Sequence, residues 1–226
     1  MGLLDNKVIV VTGAHGVLGA AVATAAEAAG AKVARIDFAQ RHEGGDLVFE
    51  GVDLADEAAT QAVMDQIAAS AGGIDGLVNI AGGFVFQTLA DAPAAVWDKM
   101  FRLNLVTAVS ACRAAMGHMN GGSIVNIGAN AASRAGAGMG AYAASKSGVA
   151  RLTEALSEEL AGAKVRVNAI LPSILDTPTN RADMPKADFG SWVAPQDLAK
   201  VVLFLLSDDG AAITGASIPV TRGSGV

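Results

Sequence analysis

Seven short apolar runs, most of them rich in β-branched residues, recur along the chain: VIVV (8–11), KVARIDF (32–38), LVFEGVDL (47–54), IDGLVNIAG (74–82), SIVNIGA (123–129), KVRVNAILP (164–172) and ASIPVT (216–221). Stretches of helical period fill most of the intervals, at 17–29, 56–71, 93–117, 141–161 and 195–207. Several runs are apolar on both faces, as a strand needs when helices cover it on each side. Alternation of this kind predicts an α/β fold: a doubly wound parallel sheet of about seven strands, right-handed crossovers, and helices on both faces. Asp91 before Pro93 and Pro195 before QDLAKVVLFLL mark helix starts. No repeat and no Pro/Ser linker breaks the pattern, so residues 1–226 are expected to form one domain.

Composition narrows the partners. The net charge of −6 and a pI near 5.0 leave no basic footprint, which argues against nucleic acid and anionic membrane. Cys112 is the only cysteine, so no internal disulfide forms and a reducing cytoplasm is permitted. MGLLDNK lacks a basic leader pattern, and no apolar run reaches membrane-spanning length. A cytoplasmic protein with a small-molecule substrate and no metal site is expected.

The first strand runs into TGAHGVLG (12–19), which sets Gly13, Gly16 and Gly19 where strand becomes helix. Glycine there permits a tight turn, lets backbone N–H groups approach a pyrophosphate, and packs the helix close to the sheet. Val17 and Leu18 belong to the same cofactor turn. Asp37 ends the second run, where a carboxylate accepts from the adenosine ribose hydroxyls and repels a 2′-phosphate. NAD(H) is therefore preferred, while Arg35, Arg41 and His42 nearby leave NADP(H) possible. Asp53, ending the third run, is placed to face the adenine. His15 is expected to be a solvated loop residue.

Tyr142 and Lys146 lie four residues apart in a helix-forming stretch, so one helical turn puts them on one face. A phenol with a pKa near ~10 exchanges protons poorly at neutral pH unless a cation stabilises its phenolate. Lys146 can supply that cation, which makes the pair a candidate acid/base couple.

With TGAHGVLG, Asp37, Asp53-Leu54, NIAG (79–82), Asn104 in RLNL, Tyr142-x-x-x-Lys146, NAILP (168–172) and FLLSDDGAAITGASIPV (204–220), the chain resembles the short-chain dehydrogenase/reductase superfamily along nearly its whole length. The resemblance implies a homodimer or homotetramer in which Tyr142 is the acid/base. It further implies that Lys146 lowers the tyrosine pKa and holds the nicotinamide ribose, and that Asn104 organises a proton-relay water. Leu54, Ala81 and Gly82 join the cofactor set, and Pro172, Ile174 and Thr177 are set against the nicotinamide carboxamide.

Two departures stand out. Two residues separate each glycine from the next, where three and then one is commoner in the family. Ala129 occupies the place, thirteen residues before the tyrosine, where a substrate-binding serine is usual. Asn130 and Ser133 lie at other offsets. Loss of a positioned oxyanion donor costs about 10²–10³ in rate, so either the protein is a weak carbonyl reductase or its substrate does not need that donor.

Within the superfamily, LPSILDTPTNRADMPKADFGSW (171–192), AGGF (81–84) and GANAASRAGAGMGAY (128–142) look like dihydropteridine reductase. That resemblance implies NADH reduction of a quinonoid dihydropterin. It also implies a substrate lid at 176–194 and substrate contacts from Phe84, Phe86, Ala129 and Trp192. Gln87, Asn180 and Arg181 are further polar candidates, Arg181 equally a lid-closing ion-pair partner. A 3-ketoacyl or general ketone/alcohol oxidoreductase is the alternative, and a non-catalytic dinucleotide sensor the reading from another class.

Overall fold

The computed structural model describes residues 2–41 and 45–222; His42, one of the residues weighed for a 2′-phosphate, lies outside them. All seven strands form one parallel sheet in the order β3-β2-β1-β4-β5-β6-β7. They are β1 (Val8–Thr12), β2 (Lys32–Ile36), β3 (Val48–Phe49), β4 (Gly76–Asn79), β5 (Gly122–Ile127), β6 (Val165–Pro172) and β7 (Ser217–Val220). The helices are α1 (Val17–Ala28), α2 (Glu57–Ala71), α3 (Ala94–Phe101), α4 (Thr107–Met116), α5 (Gly140–Glu159), α6 (Pro178–Asp183) and α7 (Pro195–Leu206).

Consecutive residues of β1 serve opposite faces. Ile9 and Val11 pack with Val22, Ala26, Leu198 and Val202 of α1 and α7, whereas Val8 and Val10 pack with Met64, Ile67, Ala111 and Leu156 of α2, α4 and α5. Period-two alternation with both faces apolar is why the strand reads as one hydrophobic run.

Two expectations change. The third run shrinks to Val48–Phe49, because Gly51 turns the backbone left-handed (φ 72°) and Asp53 begins the approach to α2. Asp56 caps α2, accepting from the amides of Ala58 and Ala59. The continuous helix read at 93–117 is interrupted by a π turn at Arg102–Val106, which separates α3 from α4.

The strand order reverses between β1 and β4, opening a crevice at their carboxyl ends, where open α/β sheets bind ligands. Beneath it, buried Asn79 donates from Nδ2 to Asn126 Oδ1 (2.8 Å), and Asn126 donates to Thr153 Oγ1 (2.9 Å). These bonds tie β4 and β5 to α5, the helix that carries Tyr142 and Lys146.

Candidate active site

Backbone geometry makes the first wall of the crevice. Gly13 has φ 64°, and a Cβ on it would stand 2.9 Å from the Ala81 nitrogen, so the ends of β1 and β4 meet only because nothing projects there. A Cβ on Gly19 would lie 2.0 Å from the Gly13 carbonyl oxygen. Gly16 is the N-cap of α1, with no side-chain capping bond and no acid in the first turn. The helix thus presents uncapped amides and the positive end of its dipole to the crevice. Thr12, which the sequence reading passed over, secures this corner: its hydroxyl accepts from the amides of Ile80 (3.0 Å) and Ala81 (3.2 Å).

At the outer end, Asp37 accepts from the His15 amide through Oδ2 (2.8 Å) and from the Ala39 amide through Oδ1 (2.8 Å). His15 is not solvated as expected; it is 4 % exposed, with Nε2 donating to Glu50 Oε1 at 2.8 Å. The turn folds its ring inward because a half-buried carboxylate is there to receive it. Arg35 is committed to Glu27 through two bonds of 2.8 and 2.9 Å, while Arg41 is exposed. Asp53 accepts from the Ala55 amide (2.9 Å) and from Arg102 (3.0 Å), and these bonds hold its carboxyl below the usual carboxylate range. Leu54 is buried in the core under α2.

Tyr142, Lys146 and Asn104 converge at the inner end. Lys146 is 6 % exposed and donates from Nζ to the Ile127 carbonyl at 2.7 Å. Asn104, held within the π turn, is 1 % exposed: Oδ1 accepts from the Gly83 amide (2.9 Å), and Nδ2 donates to the Gly83 carbonyl (3.0 Å) and to Ser145 Oγ (3.0 Å). Ser145 in turn donates to the Tyr142 carbonyl (2.7 Å). Its serine, one position before the lysine, was absent from the sequence reading because only its place three residues after Tyr142 gives it away. A Cβ on Gly82 would come 2.5 Å from Asn104 Oδ1 and 3.6 Å from Lys146 Nζ, so glycine lets the two approach this strand end.

Burial pushes the Tyr142 phenol up to about 12 and the Lys146 ammonium down to about 8. The first shift opposes the depression expected from the neighbouring lysine; desolvation disfavours the phenolate, and Lys146 spends a donor on Ile127. At neutral pH the phenol keeps its proton and most of the lysine keeps its charge.

On the substrate side, Phe84 is 55 % exposed and stands edge-to-face to Tyr142, centroids 4.9 Å apart and planes at 85°. Phe86 is also exposed and lies over Gly138, where a Cβ would fall within 2.5–2.9 Å of its ring carbons. Ala129 is buried at the end of β5, and Ser133 is exposed. Trp192 is 4 % exposed, its ring centroid 4.8 Å from that of Phe189 in the same 176–194 segment. Arg181 pairs bidentately with Asp176 (2.5 and 2.8 Å) and stacks 4.7 Å over Phe189. Leu175 and Val193 form a parallel bridge that closes the base of the segment. Pro172 is buried at the end of β6, Ile174 is 41 % exposed, and Thr177 caps α6 by accepting from the Asn180 amide. Gln87 donates to the Asp91 carbonyl.

Among the described residues no group of three His, Cys, Asp or Glu could hold a metal ion, and no helix is long and apolar enough to cross a membrane.

The family model for short chain dehydrogenase matches residues 7–188. Similar proteins include 2-(S)-hydroxypropyl-CoM dehydrogenase 3 of Xanthobacter autotrophicus, 34 % identical with 97 % of each chain covered. D-threitol dehydrogenase of Mycolicibacterium smegmatis is 36 % identical, over 97 % of this chain and 93 % of its own. Among solved structures, carveol dehydrogenase from Mycobacterium avium in complex with NAD superposes with a TM-score of 0.88 at 26 % identity, covering 99 % of both chains. A short chain dehydrogenase from Burkholderia cenocepacia in complex with NADP does so at 0.86 and 28 % identity, covering 98 % of both. The chain belongs to the short-chain dehydrogenase family and has its single-domain Rossmann-type fold.

Proposed function

We propose that the protein is an NAD(H)-dependent oxidoreductase that interconverts a secondary alcohol or diol with its ketone, Tyr142 passing the proton. The observation that carries this reading is the convergence of Tyr142, Lys146 and Asn104 at the crevice between β1 and β4, beside a glycine turn that a Cβ would fill. The dehydrogenases similar to it are named for alcohols and diols, which favours this class over the dihydropterin implied by the lid motif.

The residues fit a dinucleotide. Gly13, Gly16, Val17, Leu18 and Gly19 would hold its diphosphate at the start of α1, Asp37 its adenosine ribose, and Ala81 and Gly82 the adjoining edge. Lys146 would hold the nicotinamide ribose, with Pro172, Ile174 and Thr177 on the carboxamide side. The bound cofactor supplies the hydride. Asp37 selects NAD(H), since a carboxylate there repels a 2′-phosphate, and Arg35 is spent on Glu27.

In reduction, Tyr142 Oη gives its proton to the substrate oxygen, for which burial has prepared it by keeping the phenol protonated. In oxidation, the same oxygen must first lose that proton, so alcohol oxidation should accelerate as pH rises. The Lys146 charge favours the phenolate at that moment. Asn104 holds Gly83 and, through Ser145, the backbone of Tyr142. The segment 176–194 serves as the substrate lid, the chain works in the cytoplasm, and α4 and α5 carry the packing of a homodimer or homotetramer.

Ala129 favours a second reading, an electron-poor ring such as a quinonoid dihydropterin that needs no oxyanion hydroxyl. A spectrophotometric panel separates the two: NADH consumption with hydroxyketones and generated quinonoid dihydropterin, and NAD⁺ reduction with diols. Turnover of the pterin alone would reverse the ranking. Tyr142→Phe should lower kcat by about 10²–10⁴ while NADH still binds; turnover surviving that change would remove the acid/base role.

A further inference from the structure

We infer that Glu50, acting through His15, is a positioning residue for Asp37 and thereby for the adenosine end of the cofactor, an inference that rests on the dinucleotide reading above. A glycine-rich turn has little conformational preference of its own, so some contact must fix the direction of each peptide in it. Residue 15 stands between Gly13 and Gly16, and its amide is the donor that holds Asp37 Oδ2 at 2.8 Å. The ring of that residue is anchored: His15 Nε2 donates to Glu50 Oε1 at 2.8 Å, with side chains 3 % and 14 % exposed.

Glu50 also accepts from the Arg41 amide at 3.1 Å, reaching the loop that follows β2. Three segments that would surround an adenosine therefore meet at one largely covered carboxylate: the turn after β1, the loop after β2, and the residue after β3. Taking an imidazole and most of a carboxylate out of water costs desolvation that their hydrogen bonds must offset. That cost is hard to account for in a turn whose neighbours are glycines, unless the peptide orientation it secures is used. With both Asp37 oxygens already holding one amide each, the remaining lone pairs are aimed in fixed directions toward a ribose diol.

The test measures NADH and NADPH dissociation constants by dinucleotide fluorescence on the purified full chain, alongside melting temperature and steady-state kinetics. Glu50→Ala should weaken NADH binding roughly tenfold, as expected for losing the support of a charge-assisted bond, and weaken NADPH binding less. The loss should fall on KM for NADH rather than on kcat. Glu50→Gln, whose amide oxygen still accepts from His15, should recover most of the affinity. If Glu50→Ala does not fold, His15→Asn carries the same expectation. NADH affinity within twofold of the parent in Glu50→Ala, or in His15→Asn where that variant stands in for it, would overturn the inference, as would an equal loss of both dinucleotides that Glu50→Gln fails to restore. A parent protein that binds neither dinucleotide would instead overturn the cofactor reading itself.

Discussion

The two ends of the crevice are made of different material. At the cofactor end the backbone is the site: Gly13 at positive φ, the uncapped amides of α1, and a β1–β4 approach that any side chain would block. At the Tyr142 end, side chains from distant segments make the surface: Phe84 against Tyr142 and Phe86 over Gly138. Backbone-made surfaces permit few residues, whereas side-chain-made surfaces can be recomposed one contact at a time. A family whose members share one cofactor turn and act on varied substrates needs both.

The contrast is sharpest at Gly19. Gly19→Ala would force a methyl to within 2.0 Å of the Gly13 oxygen, against backbone that cannot yield. A loss of about 2–3 kcal/mol in unfolding free energy is expected, read by denaturant titration; an unchanged midpoint would mean the turn is more pliant than its geometry. At the other end, Ala129→Ser adds one hydroxyl at a buried position. Ketone turnover should rise about tenfold, a fraction of what an evolved oxyanion donor supplies; no rise would show that pocket shape, not the missing donor, limits ketone turnover. Arg181→Ala should do least. Its ion pair is exposed, so the melting temperature should move by less than about 2 °C, and a larger drop would mean the 176–194 segment depends on that one cation.

Much of this division was legible in the sequence. The seven strands were visible because a parallel strand with both faces buried has no polar positions to blur it, and the glycine turn because its spacing follows directly from backbone sterics. Asp37 accepts from the glycine turn and Lys146 donates to the end of β5, contacts that the motif spacing alone does not specify. The rest depends on where unrelated segments meet. His15 looked like a loop residue because Glu50, its partner, lies on another strand end. Ser145 and Thr12 are ordinary hydroxyls until Asn104 and the amides of residues 80 and 81 arrive beside them. Trp192, an aromatic in a lid motif, carries no mark in the sequence of the Phe189 ring it packs against.

The π turn at Arg102–Val106 sets a constraint of another kind, on chain length. An α-helix advances about 100° per residue, so taking one residue out of this turn would let α3 and α4 fuse while rotating one relative to the other by that angle. Asn104 would swing away from Gly83 and Ser145, and the helix would gain regularity at the expense of the clamp. Surface loops of this chain can lengthen or shorten at small cost. Here the count of residues is itself part of the active site, and a single deletion would act as a substitution of every contact the turn makes.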